Sequence, residues 1–343
     1  MTPSPARVTS VLIVDDEPAV RDIMARWAAS LGLTAITAAN ADEALATLRT
    51  KPCDLAVIDI RMPGQDGLWL ANELRREHPN TAVVIATGYT SLFDAGHAPP
   101  PVADLLVKPF ARDRFAMAVE LGRQWRKETL AELSWQARLT QELRERIEEI
   151  CAEVARRTQA GSRESNVLHT MARARTPETM AHGERVARYA VSVARELGWN
   201  GADVDQLEGA ARFHDIGKLA IPDSLLSKPS KFTALEQEIV RRHVDAGAEI
   251  LASTRALADL APIVLATHEW FSGGGYPLQL ERAGIPLASR IISVTDAYDA
   301  MTQDRPYRGR LGSADAVAEV IRCSGMQFDP DVVHTLLAVL SVH

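Results

Sequence analysis

Two different folds joined in one chain are predicted: a doubly wound parallel α/β domain, then a long helix, then an all-α bundle. Three observations predict them. The first third alternates short, continuous apolar runs with amphipathic helical stretches, a pattern that suits parallel strands buried on both faces. From about 112 to 160 the pattern is helical without strong breakers, and from Glu164 onward every long stretch is helical with no strand series. A chain of 343 residues is long enough for two ordinary cores.

Taken in order, the start from Met1 to Ser10 is rich in Pro, Ser and Thr and reads as a short disordered lead over 1–10. Val11-Leu12-Ile13-Val14, Leu55-Ala56-Val57-Ile58 and Ala82-Val83-Val84-Ile85-Ala86 read as buried strands. Helices are expected near 18–31, 41–50 and 67–77, and the α/β domain over 11–122. A helical linker fills 123–163. Within it Leu143, Ile147, Ile150 and Val154 recur at spacings of 4, 3 and 4, a short heptad seam that predicts a parallel homodimer. The second domain occupies 164–343. Gly273-Gly274-Gly275-Tyr276-Pro277 reads as a loop.

Composition narrows the function. A net charge of −7 argues against wholesale nucleic-acid binding, which needs a basic footprint. Three scattered cysteines match no zinc spacing and suit a reducing compartment, and no apolar stretch reaches membrane-span length, so a cytoplasmic protein is expected.

Acidic residues stand where strands end. Asp15 and Asp16 follow the first apolar run and Asp59 follows that of Leu55–Ile58, and ligand sites of open parallel sheets form at those carboxyl ends. Three converging carboxylates repel one another unless a hard cation such as Mg²⁺ shares them. Thr87 closes another run, and Lys108 offers a compact positive charge. Together with Asp59-Ile60-Arg61-Met62-Pro63-Gly64 and Lys108-Pro109-Phe110, these positions resemble the receiver domain of two-component response regulators. The resemblance implies that Asp59 accepts a phosphoryl group from a histidine kinase. Asp15, Asp16 and Asp59 would hold Mg²⁺, and Thr87 and Lys108 would read the phosphoryl group. Two positions depart from it: Leu105 replaces the usual aromatic switch residue, and Pro99-Pro100-Pro101 cannot lie within the fourth helix.

The second half carries His182, His214-Asp215, His243, His268 and Asp296. Imidazoles and carboxylates brought inward by several helices are how bundles build metal sites, and adjacent His and Asp supply one nitrogen ligand and one carboxylate able to bridge two cations. Glu178 and His182 share a helical face at i,i+4, as do His214 and Lys218. Phe213-His214-Asp215-Ile216-Gly217-Lys218 followed by Gly275-Tyr276-Pro277 resembles the HD-GYP branch of the HD phosphohydrolases. That resemblance implies a phosphorylation-controlled phosphodiesterase opening cyclic di-GMP to pGpG or on to GMP. The six named positions would hold two divalent ions, Fe or Mn ahead of Ni or Zn, with Asp215 bridging and Glu178 at the position tied to a third ion. Lys218 would serve as acid or charge neutraliser beside Asp215, and Arg305 and Arg308 would contact phosphate. The GYP loop would border the site and bind partners such as diguanylate cyclases. Thr267 stands where the family carries a histidine and Ser272 where it carries an aspartate, so the alternative is a catalytically weak output domain that senses nucleotide or binds a partner.

Overall fold

The computed structural model describes residues 9–88, 102–159, 163–303 and 309–341 and divides into two compact units, Met1–Ala137 and Arg138–His343. Arg305, Arg308 and Pro99-Pro100-Pro101 lie outside the described residues.

The first unit is a five-stranded parallel sheet ordered β2-β1-β3-β4-β5. Its strands are β1 (Ser10–Val14), β2 (Thr34–Ala38), β3 (Leu55–Asp59), β4 (Ala82–Thr87) and β5 (Asp104–Val107). Helices α1 (Pro18–Ser30), α2 (Ala41–Leu48) and α3 (Gly67–Glu77) intervene. The three apolar runs become the three central strands because both of their faces are covered. Val11 and Ile13 pack on one side of the sheet, while Leu12 and Val14 pack on the other with Leu48 and Leu70. The sequence did not mark β2 and β5. Both are edge strands, and their half-exposed residues break the continuous apolar signal.

The helix α4 (Arg112–Gln159) is a single element of 48 residues. Its start buries Phe115, Ala118 and Val119 on the sheet, and Arg126 pairs with Asp54 at 2.7 Å. Asp54 in turn accepts from the backbone and hydroxyls of Thr9 and Ser10, tying down the start of β1.

The second unit is helical: α5 (Glu164–Arg175), α6 (Pro177–Glu196), α7 (Gly201–Phe213), α8 (Asp223–Leu226), α9 (Ala234–Arg241), α10 (His243–Ala252), α11 (Ala261–Leu265), α12 (Leu287–Thr302), α13 (Ser313–Arg322) and α14 (Pro330–Ser341). The heptad seam requires a correction. Leu143, Ile147, Ile150 and Val154 are each less than 9% exposed in the single chain. Arg146 on the same helix donates to the Ile221 carbonyl, and Cys151 lies 3.2 Å from the Ser253 hydroxyl. A four-residue apolar seam reads alike whether its partner is a second copy or the chain's own bundle, and here it is the bundle. These side chains are not available for a coiled coil.

Two helical expectations also change. The run from Glu238 to Leu251 is broken at Arg242, between α9 and α10. His268 lies in the turn after α11 rather than in a helix.

Candidate functional site

In the first unit Asp15, Asp16 and Asp59 converge at the carboxyl ends of β1 and β3, with carboxylate oxygens within 4.8 Å of one another. Asp15 is fully buried and Asp59 nearly so. Lys108, just past β5, places Nζ 2.7 Å from Asp15 Oδ2 and 3.1 Å from Asp59 Oδ1. Burial pushes the Asp59 carboxyl up, against the pull of Lys108. Thr87 ends β4, buried beside the same strand end. All five polar positions named from the sequence therefore meet at one edge, and the oxygen-only donor set fits a hard divalent cation.

The second site is assembled from α6, α7, the segment after it, α10, the turn after α11, and α12. Helix α7 stops at Phe213, with His214 as its cap, and Ile216–Leu219 continues as a 3-10 turn. The cause is a close approach. A Cβ at position 217 would lie 1.8 Å from the His243 carbonyl oxygen, so only glycine lets this segment press onto α10. The expected i,i+4 relation of His214 to Lys218 is therefore not formed on an α-helix. In the tighter turn Lys218 instead reaches Asp215, its Nζ 2.5 Å from Oδ2.

Backbone contacts set the imidazole tautomers. His214 Nδ1 donates to the Ala211 carbonyl at 2.7 Å and His243 Nδ1 to the Val240 carbonyl at 2.8 Å. A carbonyl only accepts, so each ring keeps an Nε2 lone pair for coordination. His214 Nε2 is buried with no hydrogen-bond partner among the described residues. It faces Asp215 Oδ2 at 3.5 Å and Asp296 Oδ1 at 3.9 Å. His182 Nε2 lies 2.8 Å from that same Asp296 oxygen. On the other side, His243 Nε2 is 3.3 Å from Asp215 Oδ1 and 3.2 Å from His268 Nε2. Two imidazole nitrogens so close need a proton or a cation between them. Asp215 thus directs one oxygen to each of two clusters, one with His182 and His214 and one with His243 and His268. An orphaned buried nitrogen and paired N/O clusters fit divalent ions.

Electrostatics agree with that use. Burial raises the Asp215 carboxyl, but Lys218, His214 and His243 overcome this and hold it well below the usual range. Burial, reinforced by His243, lowers the His268 imidazole to about 4, so it is a neutral donor at pH 7. Burial would lower His182 as well. Its hydrogen bonds with Asp296 and Asp299 prevail and raise it to about 9, so without a cation it carries a proton that metal binding must displace.

Asp299, Arg185 and Glu269 were not read from the sequence as parts of this site. Asp299, fully buried on α12, accepts from His182 Nδ1 at 2.6 Å and from the Arg185 Nε and NH2 groups at 2.8 Å each. The signal was present as two matching i,i+3 pairs, His182 with Arg185 and Asp296 with Asp299. Glu269, 2% exposed, accepts from the Leu278 and Leu280 amides at 2.6 and 3.0 Å, and so folds the Gly-Tyr-Pro loop back on itself. A Cβ at position 275 would lie 2.2 Å from the Trp270 amide nitrogen, so that fold requires Gly275. Tyr276 then stacks on His268, with centroids 5.2 Å apart and rings 4° from parallel.

Two expected positions stand apart. Glu178 shares α6 with His182 but is exposed and belongs to no ligand cluster among the described residues. Thr267 is buried, and its hydroxyl donates to the Val264 carbonyl at 2.9 Å.

Comparison with known proteins identifies both domains. The family model of the response regulator receiver domain matches residues 11–120, and that of the HD domain matches residues 166–332. The cyclic di-GMP phosphodiesterase response regulator RpfG of Xanthomonas campestris pv. campestris is 34% identical over 347 residues, spanning 96% of this chain and 87% of that protein. The chain belongs to this family of HD-domain response regulators. A cyclic di-GMP phosphodiesterase of Thermotoga maritima is 29% identical to this HD-domain response regulator over 346 residues, spanning 96% of the chain and 89% of the relative. A 3'3'-cGAMP-specific phosphodiesterase 2 of Vibrio cholerae is 39% identical over 166 residues, 48% of the chain and 32% of the relative. The HD domain implies divalent metal binding, and the receiver implies phosphorylation by a kinase. Among the described residues no helix is long and apolar enough to cross a membrane.

Proposed function

We propose that this response regulator hydrolyses cyclic di-GMP to linear pGpG at a two-metal site, under control of phosphorylation at Asp59. The observation that carries this reading is Asp215, buried, with one oxygen turned to each of two imidazole clusters. His182, His214, Asp296 and one Asp215 oxygen would hold one ion, and the other Asp215 oxygen, His243 and His268 the second. Iron and manganese head the candidates, although this N/O donor set also accommodates nickel and zinc. When bound there, such ions would supply the Lewis acidity that activates a water near neutral pH and offsets charge at phosphorus.

The chain's own groups do the rest. Asp299 and the Ala211 and Val240 carbonyls orient the imidazoles. Lys218, about a third exposed and paired with Asp215 at 2.5 Å, is the group that would give a proton to the departing sugar oxygen. Arg305 and Arg308 are assigned to phosphate contact on the family pattern. Glu178 lies outside both clusters and Thr267 belongs to neither, its hydroxyl turned to the Val264 carbonyl, which supports two ions rather than three. In the receiver, a histidine kinase would phosphorylate Asp59 with Mg²⁺ held by Asp15, Asp16 and Asp59. A homodimer would have to use a face other than the buried linker seam, and the Gly-Tyr-Pro loop remains the surface assigned to protein partners.

The test compares two variants of the metal-loaded protein. Asp215→Ala should lose most bound metal, read by elemental analysis, and essentially all pGpG formation. Lys218→Ala should keep its metal and lose about a hundredfold in rate, the scale of a missing general acid. Near wild-type turnover in Asp215→Ala would sink the two-metal assignment.

A further inference from the structure

Next to the metal clusters is a cavity of about 360 Å³ lined by Glu238, Arg241, Arg242, Asp245, Tyr276 and Gln279. Glu238 and Arg241 lie at the end of α9, Arg242 is the junction residue and Asp245 lies in the first turn of α10. Among the described residues, Glu238, Arg242 and Asp245 make no side-chain hydrogen bond or ion pair, and the Arg241 guanidinium instead lies 5.0 Å from the Tyr276 ring centroid. The same Tyr276 ring stacks on His268, so the cavity begins one aromatic ring away from the second metal cluster.

We propose that this cavity is a guanine subsite, which holds one base of the cyclic dinucleotide while its phosphodiester lies over the metal clusters. The inference rests on the phosphodiesterase reading above and adds the basis of substrate choice. Guanine offers two acceptors, O6 and N7, that suit a guanidinium fork, and its N1–H and N2–H₂ donors suit a carboxylate. A cavity that sets two guanidiniums and two carboxylates around an aromatic ring matches both edges at once. Adenine carries an amine where guanine has O6 and lacks the N2 amine, so the same side chains would face it with mismatched groups. Unsatisfied polar groups in a site built for hydrogen bonding are the strongest source of discrimination between close analogues.

The experiment measures kcat/KM of the full-length, metal-loaded chain for cyclic di-GMP, 3'3'-cGAMP and cyclic di-AMP. One subsite needs one guanine, so cyclic di-GMP and 3'3'-cGAMP should stay within a few-fold of each other and cyclic di-AMP should trail by tenfold or more, the scale of one bidentate base contact. The double variant Glu238→Gln/Asp245→Asn replaces one acceptor oxygen of each carboxylate with an amide donor, and should lower the guanine-to-adenine ratio at least tenfold. The ratio is internally controlled, because a misfolded variant loses both substrates alike. An unchanged ratio in the double variant, or no guanine preference in the wild type, overturns the subsite. If the wild type cleaves none of the three, the phosphodiesterase reading falls instead. The subsite is then decided by equilibrium binding of cyclic di-GMP and cyclic di-AMP to the EDTA-treated chain. A guanine preference that the double variant abolishes supports it, and equal affinities refute it.

Discussion

Asp299→Asn is the substitution that most directly tests how the metal site is held. Asp299 is fully buried, and its carboxylate accepts both Arg185 nitrogens at 2.8 Å and His182 Nδ1 at 2.6 Å. An asparagine of the same shape keeps one acceptor oxygen and turns an amine toward the other donors. At least one charge-assisted hydrogen bond is lost, each worth about 1.5–3 kcal/mol. The Arg185 side chain is 29% exposed, so water offsets part of the uncompensated charge. A loss of about 2 kcal/mol in helical-domain stability follows. The larger effect falls on the metal. His182 loses the carboxylate that fixes its ring, and removal of such a partner weakens metal affinity about 10–100-fold. Competition with a chelator of known affinity measures that shift, and a thermal melt of the metal-free protein measures the stability loss separately. If Asn leaves both unchanged, the Arg185–Asp299–His182 chain does not position the ligand, and the reasoning fails.

Three further outcomes follow from the geometry. Gly217→Ala should abolish metal binding and lower the melting temperature, because its Cβ would meet the His243 carbonyl at 1.8 Å; normal metal content would refute the close-packing account. Asp54→Ala should destabilise the receiver by about 1–3 kcal/mol through the lost clamp on Thr9 and Ser10. Burial raises the Asp54 carboxyl, but the Thr9 hydrogen bonds and Arg126 outweigh it and depress the folded pKa. This stabilisation is therefore complete above the unfolded value near 4 and is lost as pH falls through the folded one, so the gap between wild-type and variant denaturation midpoints should narrow below about pH 4. Asp59 should take a phosphoryl group from acetyl phosphate with Mg²⁺ and Asp59→Asn should not, as read by intact mass. Turnover with a beryllofluoride mimic should change by about tenfold, roughly 1.4 kcal/mol of differential free energy, and identical rates would leave the receiver without control of this site.

What the sequence by itself determined is a matter of residue type and order. Continuous apolar runs such as Leu55–Ile58, alternating with amphipathic helical stretches, suit strands covered on both faces, and the edge strands Thr34–Ala38 and Asp104–Val107 escaped because half-exposed residues break that signal. His182, His214, Asp215, His243, His268 and Asp296 were legible as donors, since coordination needs particular atoms and few other uses concentrate them. Tertiary structure alone decided where those atoms point. Whether Leu143 to Val154 meets a second chain or its own bundle depends on which apolar surface comes within reach, and no local pattern encodes that. The same holds for the 3-10 turn that brings Lys218 to Asp215, which exists because Gly217 lets two segments touch. It holds equally for Asp299, whose role appears only when α12 packs against α6 and a buried carboxylate must find its positive partners.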